Sequence, residues 1–377
     1  MTTKPTVAVR FVTTGNPEMP AGMGQGVSWS FGRQNITDQW QGGTITVYGR
    51  SPSSWVTVPA LGYWTKVTIT NNGQTAIAWG IISDYKVIYG PSAAYDTWEL
   101  TLETGLGVAG RKSARYVYAD AGASTGDMVQ RIQSQMGTLV WNGGGWGTKT
   151  SSISFADTNI GDAAQTALNT DAGYLVETQR PDGTAQPVSI LYGHNSSTLG
   201  TWKGVFSDDM SVSSIVVNGV TEYLKRYTGI EFRSAAYNYG TQVVVQAAGL
   251  ADQYAGSGDY TQTWQTINYT TDEAFSLANY YLNKYTLATT VPYSITMTGA
   301  SNSYADAITY ADPTMVGKLI RIDFRGTTYY CVVEGVQFNA NPSDWSATLA
   351  LSASTANAYL KLDSPVLGTL DTNRLGF

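Results

Sequence analysis

The chain has 377 residues but a single cysteine, a single histidine and only 13% charged residues. Cys331 alone excludes an internal disulfide. One Cys and one His cannot supply the three or four ligands of an ordinary zinc site. His194 lies in the turn-like segment Tyr192-Gly-His-Asn, and neither Gly-x-Ser-x-Gly nor His-Glu-x-x-His occurs. His-based nucleophilic and metal-assisted hydrolysis therefore lack their parts. The phosphate-loop pattern is also missing, because Gly143-Gly-Gly is followed by Trp146 rather than by Lys and Ser or Thr. No stretch approaches the ~18 uninterrupted apolar residues of a membrane-spanning helix. The start, Met1-Thr-Thr-Lys-Pro-Thr, has no signal-peptide core, so synthesis in a cytoplasm is expected. Against 28 acidic residues stand 22 Lys and Arg, a net charge of −6. Stable nucleic-acid binding, which needs a basic patch or stripe, is not expected.

Carboxylates offer little more. The adjacent pair Asp208-Asp209 reads as turn chemistry, Glu99 and Glu103 fall on the solvent side of a strand, and neither these nor Asp96 and Glu334 form a recognisable acid pair. Asp120 and Asp127 lack the spacing of a calcium loop, and Asp127 is explained as a helix cap. The expectation is no catalytic residue, no metal site and no cofactor.

What the chain does have is turns and rings, with 40 Gly, 25 Tyr and 11 Trp. Aromatic and β-branched residues suit half-buried pleated surfaces, and the length allows two or three domains. The best-patterned stretch runs from Gly317 to Leu351. Ile320, Ile322 and Phe324 alternate with Arg321 and Asp323, Arg325-Gly326 turns the chain, and a long run follows from Thr327. After the Asn-Pro-Ser turn, Trp345, Ala347, Leu349 and Leu351 share one strand face. An earlier stretch, Lys66 to Glu103, repeats these events. Its turn is Asn72-Gly73, the type I′ hairpin signal, and its last strand carries Trp98, Leu100 and Leu102. The chain thus contains one antiparallel meander twice.

Between the two copies the character changes. Ser124-Thr-Gly-Asp127 is a capping box before a helix with Met128, Ile132 and Met136 on one face. Asn159 caps a second short helix, and Arg180-Pro-Asp-Gly183 is a turn between two strand-like runs. Thr270-Thr-Asp-Glu273 opens the clearest amphipathic helix, whose stripe of Ala274, Leu277, Ala278, Tyr281, Leu282 and Tyr285 is expected to pack on the second barrel. The loop from Thr13 to Gly26 has no core of its own. The expected fold is mainly β: a first antiparallel β-barrel domain at 1–118, a small α/β insert at 119–205, and a second barrel at 206–352 with its helix near 272–286. An irregular tail at 353–377 carries Leu367, Leu370, Leu375 and Phe377, and its apolar content predicts docking on its own or a neighbouring subunit. A subunit interface is expected at Tyr237, Tyr239, Tyr254, Trp264, Leu375 and Phe377, with Tyr260 and Tyr269 in the same crowded region. Exposed aromatics also suit a carbohydrate- or cell-wall-binding β-module for host attachment, the alternative reading.

Four stretches carry a family likeness: Phe31-Gly-Arg-Gln-Asn-Ile-Thr-Asp-Gln-Trp-Gln-Gly-Gly-Thr-Ile-Thr-Val, the first meander through Trp98-Glu-Leu-Thr-Leu, Asp171-Ala-Gly-Tyr-Leu-Val-Glu, and Gly317 to Leu351. In pattern and order the chain resembles the tail hub, or minor tail, proteins of long-tailed bacteriophages. The resemblance implies a structural, non-enzymatic virion protein of the tail tip. It implies a homotrimer in which two similar barrels per subunit form a ring of six, matching a sixfold tube to a threefold tip. Implied partners are a distal tail or tail tube protein, a tape measure protein and other minor tail or fibre proteins, with the genome passing through the ring. Large hubs can carry a C-terminal hydrolase. Here the chain ends about 25 residues after the last barrel strand, and none is expected.

Overall fold

The computed structural model describes residues 5–12, 19–24, 26–33, 43–50, 60–136, 140–142, 147–179, 188–193, 202–209, 211–217, 220–234, 242–257, 260–285, 290–299 and 305–354. Seven strands come first: β1 (Thr6–Val12), β2 (Met19–Gly24), β3 (Gly26–Gly32), β4 (Thr44–Arg50), β5 (Trp64–Asn71), β6 (Gln74–Ile88) and β7 (Thr97–Glu103). A mixed stretch follows with α1 (Gly105–Arg111), β8 (Ser113–Ala119), α2 (Thr125–Met136), β9 (Val140–Asn142), β10 (Ile153–Asn159), α3 (Ile160–Asp171), β11 (Tyr174–Gln179) and β12 (Val188–Gly193). Then come β13 (Trp202–Ser207), β14 (Ser214–Val217), β15 (Val220–Tyr223), β16 (Gly229–Ser234), β17 (Gln242–Ala247), β18 (Gln253–Gly256), β19 (Thr261–Thr266) and α4 (Thr271–Tyr285). The last strands are β20 (Thr290–Thr298), β21 (Leu319–Phe324), β22 (Thr327–Ala340) and β23 (Trp345–Ala353).

The mainly β class is as expected, but the described strands close no barrel. Both meanders lie in one 13-stranded sheet, whose path runs β16-β20-β23-β22-β3-β4-β7-β6-β5-β1-β2, with β21 and β13 beside the first half of β22. The repeat is legible strand by strand. β5-β6-β7-β4-β3 corresponds to β21-β22-β23-β20-β16, and each copy has a long second strand with a register shift near its middle, between Ile82 and Asp84 and between Val333 and Gly335. The hairpin turns match as well: Asn72-Gly73 has φ of 51° and 80°, and Arg325-Gly326 has 50° and 79°. The loop Thr13 to Gly26 contains a strand, β2, because residues 19–24 pair with β1.

A further correspondence sits under the tryptophans. Trp98 and Trp345 lie at the start of equivalent strands, and each lies over a glycine of the neighbour, Gly49 within β4 and Gly299 just past β20. A Cβ on Gly49 would lie 2.3 Å from the Trp98 ring, and one on Gly299 would lie 2.5 Å from the Trp345 indole nitrogen. The sequences around them are Ile45-Thr-Val-Tyr-Gly49 and Ile295-Thr-Met-Thr-Gly299. Both indoles belong to the largest core, which also holds Ile45, Leu100, Leu102, Ile295, Val336, Leu349 and Leu351. The short 3-10 segments Ala305–Ala311 and Pro313–Met315 join it, and the Trp29 indole N–H donates to the Ala311 carbonyl at 2.9 Å.

The α/β part forms separate layers. The Ser124–Asp127 box is made, with the Asp127 carboxylate accepting from the Ser124 N–H at 2.9 Å, and Asn159 caps α3. Helices α1, α2 and α3 share a core with Trp64 and Trp79. Glu177 of β11 accepts from the Gly105 and Leu106 N–H groups at the start of α1, and burial pushes its carboxyl up to about 7. The stripe of α4 packs on β17 and β18, which lie within residues 206–352. They belong to the small sheet β18-β17-β19, whose Val243, Val245, Ala255 and Trp264 supply the apolar partner. Among the described residues no helix is long and apolar enough to cross a membrane.

The paired glycines generate a prediction. Gly49→Ala and Gly299→Ala each force a methyl into an indole and are expected to destabilise the fold by about 1–3 kcal/mol. Urea unfolding of the two variants checks this, with similar losses expected because the sites are equivalent.

Candidate assembly interface

The interface candidate emerges from how the two meanders meet. The first half of β22 pairs with β21 through Val332, but the strand continues eight residues further. Its backbone groups beyond that point need partners. They find them in β3, which pairs antiparallel from Gly335↔Gly32 to Ala340↔Val27. The approach at the start of this seam is close. Gly32 has φ of +80°, and a Cβ there would lie 2.3 Å from the Glu334 carbonyl, while one on Gly335 would lie 2.5 Å from the Arg33 carbonyl. Only glycine fits on either side.

Charge and aromatic packing reinforce the seam. Arg33 Nε donates to Glu334 Oε2 at 2.8 Å, with the side chains 5% and 0% exposed. Ser352 Oγ donates to the other Glu334 oxygen, and the Arg33 guanidinium lies 5.5 Å from the Tyr174 ring centre. Burial, and then the Glu334 charge, push the Tyr174 phenol well above its ordinary value. Further along, Trp29 stacks on Phe338 with ring centres 4.6 Å apart. A buried, hydrogen-bonded ion pair fixes register, and removing one partner strands the other charge.

The equivalent position in the first meander is open. β6 corresponds to β22, and β5 covers it only through Ile81, with Tyr63 extending the ladder to Ile82. Among the described residues no strand pairs with the far edge of residues 83–88. Asp84, Tyr85, Lys86 and Ile88 are exposed there, and Tyr89 is 80% exposed in the adjoining loop. At the opposite end of the path β16, the counterpart of β3, pairs among the described residues with β20 on one side only. The described strands therefore leave one half of the seam open at each side.

The residues expected at an interface are spread differently. Tyr254 is exposed on β18. Trp264 is 6% exposed, and its ring stacks on Tyr281 at 4.4 Å, so it is a core residue of the small sheet. Its position on the inward phase of β19 explains this. Tyr237, Tyr239, Leu375 and Phe377 lie outside the described residues, as does His194. Three of the carboxylates considered for chemistry are engaged structurally. Asp208 accepts from the Arg325 N–H at 3.0 Å, Asp209 from the Ser211 N–H at 2.9 Å, and Glu334 is the buried seam anion. Burial pushes the Cys331 thiol up to about 12, far from a reactive thiolate. Among the described residues no three His, Cys, Asp or Glu side chains gather as metal ligands. The open edge of β6 escaped sequence reasoning, although its exposed run Ser83-Asp-Tyr-Lys and the longer following loop were the available signal.

No family model matches the chain, and no curated protein matches it in sequence. Solved structures do. The tail protein of Neisseria meningitidis MC58 is similar with a TM-score of 0.60 at 13% identity, over 94% of this chain and 98% of that one. The 43 kDa tail protein of prophage MuSo2 from Shewanella oneidensis gives 0.56 at 10% identity, over 93% and 98%. The E. coli c3393 protein gives 0.52 at 10% identity, over 98% and 91%. That protein is a component of the type VI secretion system with structural similarity to the T4 tail proteins gp27 and gp5. What is shared at these identities is the fold, along nearly the whole chain.

Removing the seam anion tests the seam's energetic weight. Glu334→Ala leaves Arg33 buried without its partner and is expected to cost about 3–5 kcal/mol. Denaturant titration followed by Trp fluorescence reads it.

Proposed function

We propose that this chain is a structural component of a phage tail tip, a hub whose copies join edge to edge into a ring of three. The observation that carries the reading is the pair of complementary open edges on two equivalent panels. β16-β20-β23-β22 and β3-β4-β7-β6 correspond strand for strand, and within the chain they join through β22 and β3. The same junction made between copies pairs β6 of one with β16 of the next. Such a head-to-tail contact gives a ring when its rotation closes. Three copies then present six similar panels, the arrangement that matches a sixfold tube.

The solvent face of the panels supports passage of a genome. Opposite the core its centre carries Ser28, Ser30, Thr46, Thr101, Thr296, Gln337, Asn339 and Thr348, and on the outer strands Lys86 faces Glu99 and Arg233 pairs with Glu231. Phosphate contacts that would retard DNA in a salt-dependent way are weakened there, because both cations have acidic neighbours. Small neutral side chains hydrogen-bond water and let a polyanion slide. In this reading the protein is a virion component made in the host cytoplasm. Its flat faces meet a tail tube or distal tail protein and the tape measure, and it has no catalytic role.

Equivalent registers make the contact specific enough to test. Trp29 opposes Phe338 in the seam, and the counterparts are Ile230 on β16 and Tyr85 on β6. A chain carrying both Ile230→Cys and Tyr85→Cys is expected to form covalent trimers under oxidising conditions, because opposed residues bring Cβ atoms within ~4.5–5.5 Å. Each single variant should stay uncrosslinked on a non-reducing gel. Double-variant protein that remains monomeric contradicts the proposed edge.

A further inference from the structure

Away from the main sheet a cleft of ≈ 360 Å³ lies between α3 and β19. From the helix it is lined by Asp162, Gln165, Thr166 and Asn169, one face at i, i+3, i+4 and i+7. From the strand it is lined by the run Gln262 to Gln265.

The hydrogen-bond phase of β19 shows what faces the cleft. The Gln242 N–H donates to the Tyr260 carbonyl and the Ala248 N–H to the Thr266 carbonyl, so even-numbered residues of β19 bond to β17. Odd-numbered ones point outward. Two of these are taken by α3. The Ile267 N–H donates to Thr170 Oγ1 at 3.0 Å, and the Gln265 carbonyl accepts from Asn169 Nδ2 at 3.2 Å. Upstream, the Gln265 N–H and both backbone groups of Thr263 face the opening, and among the described residues nothing pairs with them. The wall holds a third unpartnered donor, the indole N–H of Trp264, on a side chain that is 6% exposed. Natural edge strands are usually blunted by Lys, Pro or a bulge, and β19 has none of these.

We propose that this cleft receives the chain's own C-terminal tail, residues 355–377, as a strand added to the edge of β19. Strand addition supplies main-chain bonds from the edge and side-chain pockets on alternate residues. The pockets here are neutral amides and hydroxyls with one charge, Asp162. Within Thr369-Leu-Asp-Thr-Asn-Arg-Leu375, polar residues recur along the run, and Arg374 is the one cation after Lys361. Reach is sufficient. An extended chain of 23 residues spans up to about 75 Å. A domain of this length has a radius of gyration of ~21 Å, so the tail can reach the cleft of its own subunit or of a neighbour. The inference does not depend on the ring.

Hydrogen exchange of the full-length protein, read by mass spectrometry, tests it. In the wild type, fragments covering 260–266 and 362–377 should both be protected. Thr263→Pro deletes an outward N–H and leaves the even-numbered ladder to β17, and Arg374→Glu sets a carboxylate against Asp162. Each is expected to speed tail exchange at least tenfold while the β22–β23 amides keep their protection. If Thr263→Pro fails to fold, Gln165→Ala replaces it with the same expectation. Tail exchange at free-peptide rates in the wild type, or protection that survives the variants, overturns the proposal. Saturable protection of 260–266 by soluble cell-wall glycan fragments, with the tail unchanged, overturns it too and makes the cleft a sugar site.

Discussion

A long β-strand cannot leave half of its backbone groups without partners, and the architecture follows from how this chain answers that demand. β22 outruns β21 by eight residues. The first meander answers by lending β3, which fuses two copies of one motif into a continuous sheet. Two glycines let the backbones approach, a buried Arg33–Glu334 pair fixes the register, and Trp29 on Phe338 fills the core behind it. Because the copies are equivalent, the demand recurs at β6, where nothing within the described residues of the same chain meets it. In the proposed reading, internal duplication with one satisfied and one open junction serves assembly.

Much of this was legible in the sequence because it was written in local chemistry. Alternation of Ile320, Ile322 and Phe324, the Asn72-Gly73 turn and the tryptophans at 98 and 345 fixed the meanders and their duplication. Ser124, Asn159 and Thr270 marked helix starts, because a side-chain oxygen can cap only the helix that begins beside it. What stayed hidden was non-local. That the meanders share one sheet depends on Gly32 meeting Gly335, about 300 residues apart, and no periodicity records such a pairing. Trp264 looked like a surface aromatic among Tyr and Thr, yet the phase of β19 and the stacking partner Tyr281 turn it inward. The amphipathic stripe of α4 was plain, but a stripe does not name its partner, and β17 and β18 claimed it.

The scarcity of charge and of metal-ligating residues acquires a physical role in this account. Among the carboxylates that might have suggested chemistry, Asp208 and Asp209 hold turns, Asp127 a helix start and Glu334 the seam. Over the centre of the panels the face opposite the core carries Ser, Thr, Asn and Gln, and the outer strands add Lys86 beside Glu99 and the pair Arg233–Glu231. Exposed ion pairs of this kind contribute little to stability.

The central claim is that β6 of one copy meets β16 of the next and that three copies close. Electron microscopy of the purified protein, at concentrations where mass measurement shows assembly, tests it most directly. The account predicts rings of three chains with six similar lobes around an open channel. Particles that stay monomeric at every concentration, alone and with tail partners, would contradict it, and so would open filaments built from the same contact.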